Sequence, residues 1–361
     1  MNRLPIYLKK NPLSILVIFF PLAVVANLIG WEPIWVFIFS AIGVIPMAGF
    51  IGSATEALAE YTGPKIGGLL NATLGNAAEL IITLVAIRAG LLELVKASIT
   101  GSILGNVLLV LGFAMLTGGL KNGLQYFDRR QSGNHAILLI LAVMALVIPS
   151  FFSHFIGANG NPKVEALSLG VAGVMILLYI SGLIFTLKMT SGPLAYADED
   201  PSVHQAASLS KGQAILILAL ATASVVWLSE LLVGAVESVV VTLGLSEFFL
   251  GIILIPIIGN VAEHLVAVQM ALKNKMDLSV EIALSSSLQI ALFVAPLLVF
   301  LSLLMGNPLT LIFNQFELVA LGAGILIAAL VSADGESNWL EGASLLAVYL
   351  ILSLAFFLLP A

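Results

Sequence analysis

Two short polar segments stand out in a chain that is otherwise largely apolar. The first is GNAAE at residues 75–79 and the second is GNVAE at residues 259–263; we call them the first and the second motif. Each ends in a glutamate, Glu79 or Glu263, with an asparagine three residues earlier, so the two side chains share one helix face. Carboxylate, amide and backbone oxygens together favour a hard cation such as Ca²⁺, which takes about six to eight oxygen ligands.

Backbone oxygens are expected to join these side chains as ligands. The Gly-Asn pair loosens a helix, and Pro256 is expected to break the second helix a turn before its motif. Inside a membrane the freed carbonyls must be satisfied, which a cation does well. Zn²⁺ would prefer His or Cys, Mn²⁺ is a second candidate, and two facing carboxylates favour a divalent ion over Na⁺. The predicted ligands are Gly75, Asn76, Glu79, Gly259, Asn260 and Glu263.

The same two glutamates, Glu79 and Glu263, are predicted to couple the cation to protons. Two like charges in a low-dielectric cavity repel each other, so an empty site takes up protons and a bound divalent cation expels them. Competition between a cation and protons for one pair of residues is the minimal design of an antiporter. Neutral residues on the following helix of each half are expected to support this centre: Ser102, Asn106, Ser285 and Gln289.

The composition places these motifs in a membrane. Hydrophobic residues make up 60% of the chain and charged residues 9%, with a mean hydropathy of +1.13, whereas soluble domains have about 25% charged residues. Apolar runs of about 20 residues recur, as bilayer-spanning helices require, without the alternating pattern of an outer-membrane barrel. The chain has no cysteine, which excludes disulfides and thiol chemistry. It also lacks HExxH and GxSxG motifs, so we expect no enzymatic activity.

Turn-forming segments divide the chain into about eleven predicted transmembrane helices. The first of them follows basic residues but has no convincing cleavage site, so it is expected to be retained. A polar segment then separates two groups of five helices. We predict an all-α integral membrane protein with an N-terminal helix (residues 1–31), a first five-helix repeat (32–188), an acidic cytoplasmic linker (189–211) and a second five-helix repeat (212–361).

An odd number of helices in each half gives the two halves opposite orientations, as in the inverted repeats of secondary transporters. The motifs are 184 residues apart, and SILGN at 102–106 aligns with SSSLQ at 285–289. With a cytoplasmic N-terminus, most of the 14 Lys and Arg residues fall on the cytoplasmic side. The C-terminus is then outside, and the short loops suit a prokaryotic plasma membrane.

Four further polar residues are candidates for access to the centre. Glu56 and Glu237 are expected to form acidic vestibules that concentrate cations, with helix-end carboxylates as the alternative. For Glu230 the sequence leaves two interpretations, a gating or proton-transfer role and a structural role. His264 directly follows Glu263. For this residue the sequence leaves two interpretations, pH sensing and a hydrogen bond between helices.

Two longer segments resemble the paired signature repeats of the calcium/proton exchanger (CAX) family. They are GLLNATLGNAAELI around the first motif and GIILIPIIGNVAEH around the second. SATEALAEYTGPKIGGLLNA and SSSLQIALFVAP are also similar to that family, and the resemblance covers nearly the whole chain. It implies a Ca²⁺/H⁺ antiporter that exports Ca²⁺ by alternating access. It also implies Glu79 and Glu263 as cation ligands, Asn76 and Asn260 beside them, and Asn106 and Gln289 completing the centre.

Three other functions remain as alternatives: a Na⁺/Ca²⁺ exchanger, an exchanger for another divalent ion such as Mn²⁺, and a cation channel. The sodium/calcium branch would be expected to have more Ser, Thr and Asp around the centre. A channel would conduct without moving protons, and one motif in each half suits alternating access better. We expect Ca²⁺ and H⁺ as transported ions, the lipid bilayer as surroundings, no cofactor and no nucleic-acid partner.

Overall fold

The structure is a computed structural model that describes residues 12–62, 67, 70–71, 73–156, 161–188 and 209–359. Most of the predicted acidic linker (189–211) and the first residues of the predicted N-terminal segment lie outside this range. The described residues are mostly helical, so the prediction of an all-α membrane fold is confirmed at this level. The exact number of membrane crossings and the repeat arrangement stay predictions.

We number the helices in chain order. After a 3₁₀ segment (Pro12–Ile18), the part before the linker contains α1 (Phe19–Leu28), α2 (Pro33–Thr62), α3 (Ala77–Arg88), α4 (Leu92–Asn122), α5 (Arg129–Ile156) and α6 (Pro162–Lys188). The part after it contains α7 (Lys211–Leu243), α8 (Glu247–Leu272), α9 (Met276–Leu304), α10 (Gln315–Val331) and α11 (Trp339–Phe357). A short antiparallel pair joins β1 (Gln125–Tyr126) to β2 (Glu336–Ser337).

Eight of the described helices are long and apolar enough to cross a membrane: α2, α4, α5, α6, α7, α8, α9 and α11. The segment Leu13–Leu28 and helix α10 are apolar but shorter. Large apolar side chains remain exposed on the outer helices, for example Val174 and Leu177 on α6 and Leu350 on α11. Such faces are stable against lipid rather than water, because lipid tails offer the apolar surroundings that these side chains require.

Three of the long helices contain a π-helical segment. It spans Gly105–Val110 in α4, Leu250–Leu254 in α8 and Ile290–Val294 in α9. Asn106 lies within the first of these segments and Gln289 directly precedes the third. Because π-helical turns often occur at functional sites, where they displace side chains from the regular helix face, this placement supports a role for both amides.

Glycines let α4 approach α8 closely. A Cβ on Gly101 of α4 would collide with the backbone carbonyl of Ile252, and it would lie 2.7 Å from the ring of Pro256. A Cβ on Gly251 of α8 would lie 2.8 Å from that of Ala97 on α4. Both glycines are therefore required by the close helix crossing, which joins the first half of the chain to the second.

Helices α2 and α7 pack along each other and lie against the helices that carry the motifs. Gly43 of α2 approaches Leu228 of α7, with 3.2 Å between a Cβ on the glycine and the leucine side chain. Gly49 of α2 faces Ala262 of α8, the residue just before Glu263. This helix pair therefore packs beside the second motif.

Candidate cation-binding site

The first motif begins in a turn. Gly75 and Asn76 are not helical, and Asn76 has φ −97° and ψ 26° immediately before α3 begins at Ala77. The predicted loosening at the Gly-Asn pair is confirmed here. Glu79 is therefore in the first turn of α3 rather than in the middle of a helix. There the positive end of the helix dipole favours the charged form of the carboxylate.

The second motif lies inside a continuous helix. Gly259 and Asn260 are helical residues of α8, so the predicted break of the backbone at this motif is wrong. Pro256 follows the π-helical segment Leu250–Leu254 directly after Ile255, near the start of regular α-helix. Proline is tolerated at such a position because its missing N–H need not complete a regular turn. The two motifs therefore have the same residue types at corresponding positions but different backbone conformations.

The glutamate of each motif faces the glycine of the other. A Cβ on Gly259 would lie 3.1 Å from Cγ and 3.3 Å from Oε1 of Glu79. A Cβ on Gly75 would lie 3.5 Å from Oε1 of Glu263 and 3.7 Å from Oε1 of Gln289. The carboxylates are also near enough to interact electrostatically. This reciprocal contact makes one site from two segments that are 184 residues apart in sequence.

Gly259→Ala should displace the Glu79 carboxylate and reduce cation transport by about tenfold, which corresponds to about 1.4 kcal/mol. The added methyl group would be closer to Glu79 than a relaxed contact allows, and the carboxylate has to shift by a few tenths of an ångström. Initial rates of ⁴⁵Ca²⁺ uptake in proteoliposomes measure the effect. Gly234→Ala on α7 is the matched control, because a Cβ there meets no described atom within 4 Å. Equal rates in the two variants would contradict the contact.

Amide and hydroxyl side chains connect the first motif to α9. The Asn76 Nδ2 donates to Gln289 Oε1 at 2.7 Å, and the Ser286 hydroxyl donates to Asn76 Oδ1 at 3.2 Å. Asn106 on α4 joins them by donating its Nδ2 to Ser286 Oγ at 3.0 Å. The structure therefore brings Asn106 and Gln289 to the centre, next to the motif of the first half.

Ser286 was missed by the sequence prediction, which chose its neighbour Ser285. Ser285 is buried on the same helix, but Ser286 makes the described contacts to Asn76 and Asn106. The motif spacing could have identified it, because Ser286 follows Ser102 by the same 184 residues that separate the motifs. Ser102 in turn accepts a hydrogen bond from Asn260 Nδ2 at 3.4 Å.

Three buried oxygens at this centre have no hydrogen-bond partner among the described residues: Glu79 Oε1, Glu263 Oε2 and Asn260 Oδ1. Buried polar atoms are nearly always paired, and an unpaired buried carboxylate is costly. A cation or protons would satisfy the two carboxylates. Within the described ranges there is no group of three or more His, Cys, Asp or Glu residues, so the centre offers two carboxylates supplemented by neutral oxygens.

The predicted access residues lie away from these contacts or at their edge. Glu56 on α2 and Glu237 on α7 are exposed. Glu230 forms an ion pair with Arg88 at the end of α3, with 3.5 Å between Oε1 and Nη1. His264 is half-buried beside Glu263, and its buried Nε2 has no described hydrogen-bond partner. The vestibule, gating and pH-sensing roles stay predictions.

A second buried charged cluster, which the sequence prediction did not include, joins α4 to α10. Lys96 is 5% exposed, pairs with the exposed Glu93, and donates its Nζ to the carbonyl of Ile312 at 3.1 Å. Glu317 is 1% exposed, accepts from Thr100 Oγ1 at 3.3 Å and interacts electrostatically with Lys96. This cluster fixes the start of α10 against α4.

The chain matches a known protein family over most of its length. The family described as "Sodium/calcium exchanger protein" covers residues 32–188 and 213–358. A Ca(2+)/H(+) antiporter of Aphanothece halophytica is 44% identical over 370 residues, covering 98% of both chains. The Ca(2+)/H(+) antiporter ChaA of Bacillus subtilis (strain 168) is 44% identical over 345 residues, covering 94% of this chain and 96% of the relative.

Solved structures give the same result for the fold. The structure of native YfkE superposes with a TM-score of 0.84 at 43% identity, covering 96% of this chain and 100% of the other. The crystal structure of the H⁺/Ca²⁺ exchanger CAX superposes with a TM-score of 0.75, covering 97% of this chain and 92% of the other. At 16% identity, this second similarity concerns the fold alone.

Proposed function

This chain belongs to the sodium/calcium exchanger protein family, and from that premise we propose how it works as a Ca²⁺/H⁺ antiporter. Ca²⁺ binds between the two motifs, where Glu79 and Glu263 supply the negative charge. The observation that carries this proposal is the reciprocal contact of each glutamate with the glycine of the opposite motif. Both halves thus contribute to one buried site, so a movement of one half relative to the other would change its access.

Protons and Ca²⁺ compete for the same two carboxylates. Each glutamate has a buried oxygen without a described hydrogen-bond partner. Two buried carboxylates that interact with each other accept protons when the cation is absent. Ca²⁺ replaces those protons with a divalent charge, and its binding and release therefore move protons in the opposite direction.

Alternating access requires two related halves. We assign α2–α6 to the first inverted repeat and α7–α11 to the second, with α1 outside the repeats. Support comes from the 184-residue spacing of the motifs and from the π-helical segments beside Asn106 and Gln289. The Lys and Arg distribution favours a cytoplasmic N-terminus and an external C-terminus in a prokaryotic plasma membrane. Ca²⁺ then leaves the cell as protons enter.

The neutral side chains around the glutamates support the site. Asn106, Gln289 and Ser286 hold the first motif, and Ser102 contacts the second. Glu56 and Glu237 lie on exposed faces of α2 and α7, where acidic side chains raise the local concentration of cations. Glu230 pairs with Arg88 across the contact between α7 and α3, a position suited to gating.

The test is ⁴⁵Ca²⁺ uptake into proteoliposomes with an imposed pH gradient. We expect uptake when the interior is acidic, with no requirement for Na⁺ and with proton efflux that matches the Ca²⁺ entry. Collapse of the pH gradient with a protonophore should abolish the accumulation. Uptake that needs internal Na⁺ would assign Na⁺/Ca²⁺ exchange instead, and Ca²⁺ currents without proton movement would assign a channel. Parallel Mn²⁺ uptake measures the range of transported ions.

A further inference from the structure

A buried glutamate on α9 lies apart from the central site. Glu281 is 5% exposed and precedes Gln289 by eight residues, about 12 Å along the helix. A carboxylate inside a membrane-spanning helix is costly, and in transporters such residues commonly belong to proton relays built from Asp, Glu and His side chains. The contacts of the cation site and of the cluster around Lys96 do not include Glu281, so its burial has a different cause.

Helix α5 packs beside the part of α9 that carries Glu281. Both helices begin on the same side of the protein, where the backbone N–H of Asp128, just before α5, donates to Asp277 Oδ1 in the first turn of α9. Helix α5 contacts α9 both before Gln289 and at the π-helical segment that follows. Asp277 and Glu281 are four residues apart and share one face of α9. The face that bears Glu281 is therefore the one that contacts the start of α5.

His135 is a buried titratable residue of α5 at the level of Glu281. It is 1% exposed and follows Ser132, whose hydroxyl donates to a carbonyl at the end of α10. Counted from the contact between Asp128 and Asp277, His135 is seven residues along α5 and Glu281 is four along α9, a difference of about 5 Å or less than one helical turn. Two buried titratable side chains therefore lie at the same level on two helices that pack against each other.

Buried polar side chains continue along α9 from Glu281 to the centre. Ser285 follows Glu281 by four residues on the same face, and Gln289 follows Ser285 by four. Both are buried, as is Ser286, whose hydroxyl hydrogen-bonds Glu263. Hydroxyl groups and protonated carboxyl groups both donate and accept hydrogen bonds, so they can pass protons to one another. Helix α9 thus carries a buried polar line from its second turn to the central glutamates.

Glu281 and His135 differ from the charged residues at the ends of the surrounding helices, which are exposed: Lys121, Asp128, Arg129, Lys273, Asp277 and Asp334. A glutamate and a histidine that hold one proton between them are neutral overall, which limits the cost of burying them. Histidine also exchanges its proton near neutral pH. Such a pair can accept a proton on one side and release one on the other.

We propose that Glu281 and His135 form a proton relay between the central glutamates and the cytoplasm, separate from the route of Ca²⁺. This inference rests on the proposed function and its orientation of the chain. When Ca²⁺ displaces a proton from Glu263, the relay takes up that proton and releases another to cytoplasmic water, so its own protonation returns to the starting state. Glu56, which is proposed to attract cations at the same side, is on α2 instead.

Two modes of exchange distinguish a relay from a structural pair. The first is pH-driven ⁴⁵Ca²⁺ uptake, in which every cycle moves protons. The second is exchange of external ⁴⁵Ca²⁺ for unlabelled Ca²⁺ inside proteoliposomes at equal pH, in which the carrier returns with Ca²⁺ and no proton needs to move. In the full-length protein, Glu281→Gln and His135→Asn should each slow the first mode by about tenfold and leave the second unchanged. This effect is smaller than the full contribution of a positioned proton carrier, because water replaces part of the relay.

Three further variants complete the experiment. Glu281→Asp keeps an ionisable carboxyl group and should retain most of the pH-driven rate. The double variant Glu281→Gln and His135→Asn should be no slower than the slower single variant, because the two residues act in one relay. Glu336→Gln changes an exposed carboxylate and should leave both modes unchanged.

The ratio of the two modes decides the outcome, because both are measured in the same proteoliposomes and the amount of folded protein cancels. A wild-type ratio in Glu281→Gln and His135→Asn, whether both modes are slowed equally or neither is changed, would overturn the relay. Glu79→Gln should lose both modes, as the proposed function requires. Retention of Ca²⁺/Ca²⁺ exchange in Glu79→Gln would instead contradict the proposed cation site.

Discussion

Replacing Glu79 or Glu263 with Gln abolishes pH-driven Ca²⁺ uptake. Gln keeps the shape of the side chain and one oxygen, but it removes the charge that a divalent cation needs and the group that carries a proton. Both carboxylates are at the centre, each against the glycine of the other motif. We expect uptake to fall by at least about 100-fold. Removal of one carboxylate leaves the buried cation without one of its charge partners, and loss of a partner from a buried pair of opposite charges costs about 3–5 kcal/mol.

The matched control is Glu336→Gln. Glu336 is an exposed residue of β2, so the same chemical change there should leave uptake unchanged. All variants are compared at equal amounts of folded protein, measured by size-exclusion chromatography in detergent. Wild-type uptake in either Glu79→Gln or Glu263→Gln would show that the motifs are packing devices, and the account of the site would be wrong.

Lys96→Met destabilises the fold by about 3 kcal/mol, the second large effect that we expect. Lys96 is almost fully buried, and it provides a positive charge near Glu317 and a donor for the Ile312 carbonyl. Removal of the lysine takes away the described cation that interacts with the buried Glu317, and Ile312 loses its hydrogen bond. Thermal unfolding in detergent, followed by tryptophan fluorescence, should show a clearly lower midpoint.

Two comparisons make this stability result specific. Lys163→Met is the control, because Lys163 is exposed at the start of α6 and its replacement should leave the midpoint nearly unchanged. Combining Lys96→Met with Glu317→Gln should recover part of the loss. The glutamine removes the buried charge but can still bond the backbone N–H of Asn314, where Glu317 now accepts at 2.8 Å. An unchanged midpoint in Lys96→Met would contradict the cluster.

The two motifs could be located from sequence because polar residues in an apolar helix are few and these recur at a fixed spacing. Repetition of the same residues in both halves also indicated that Glu79 and Glu263 would meet, and the structure brings them together. Asn106 and Gln289 were found for the same reason. Their type and position stand out against the aliphatic residues around them.

Other features depend on tertiary contacts that a single sequence does not specify. The continuity of α8 through Gly259 and Asn260 and the π-helical segment before Pro256 have no local sequence signal. The motif spacing favours Ser286 over Ser285, but the contacts of Ser286 with Asn76 and Asn106 depend on the rotation of α9. Lys96 and Glu317 are 221 positions apart in the sequence. Neither has a charged residue at the corresponding position of the other half that would suggest a contact.

The most direct test of the central claim is the pH dependence of Ca²⁺ binding to the purified protein at equilibrium. If Ca²⁺ and protons share Glu79 and Glu263, the apparent Kd for Ca²⁺ rises as the pH is lowered, and Ca²⁺ addition in weak buffer releases up to about two protons per ion. In the Glu79→Gln and Glu263→Gln double variant, Ca²⁺ addition releases none. A wild-type Kd that does not change with pH, together with Ca²⁺ binding without proton release, would contradict the account.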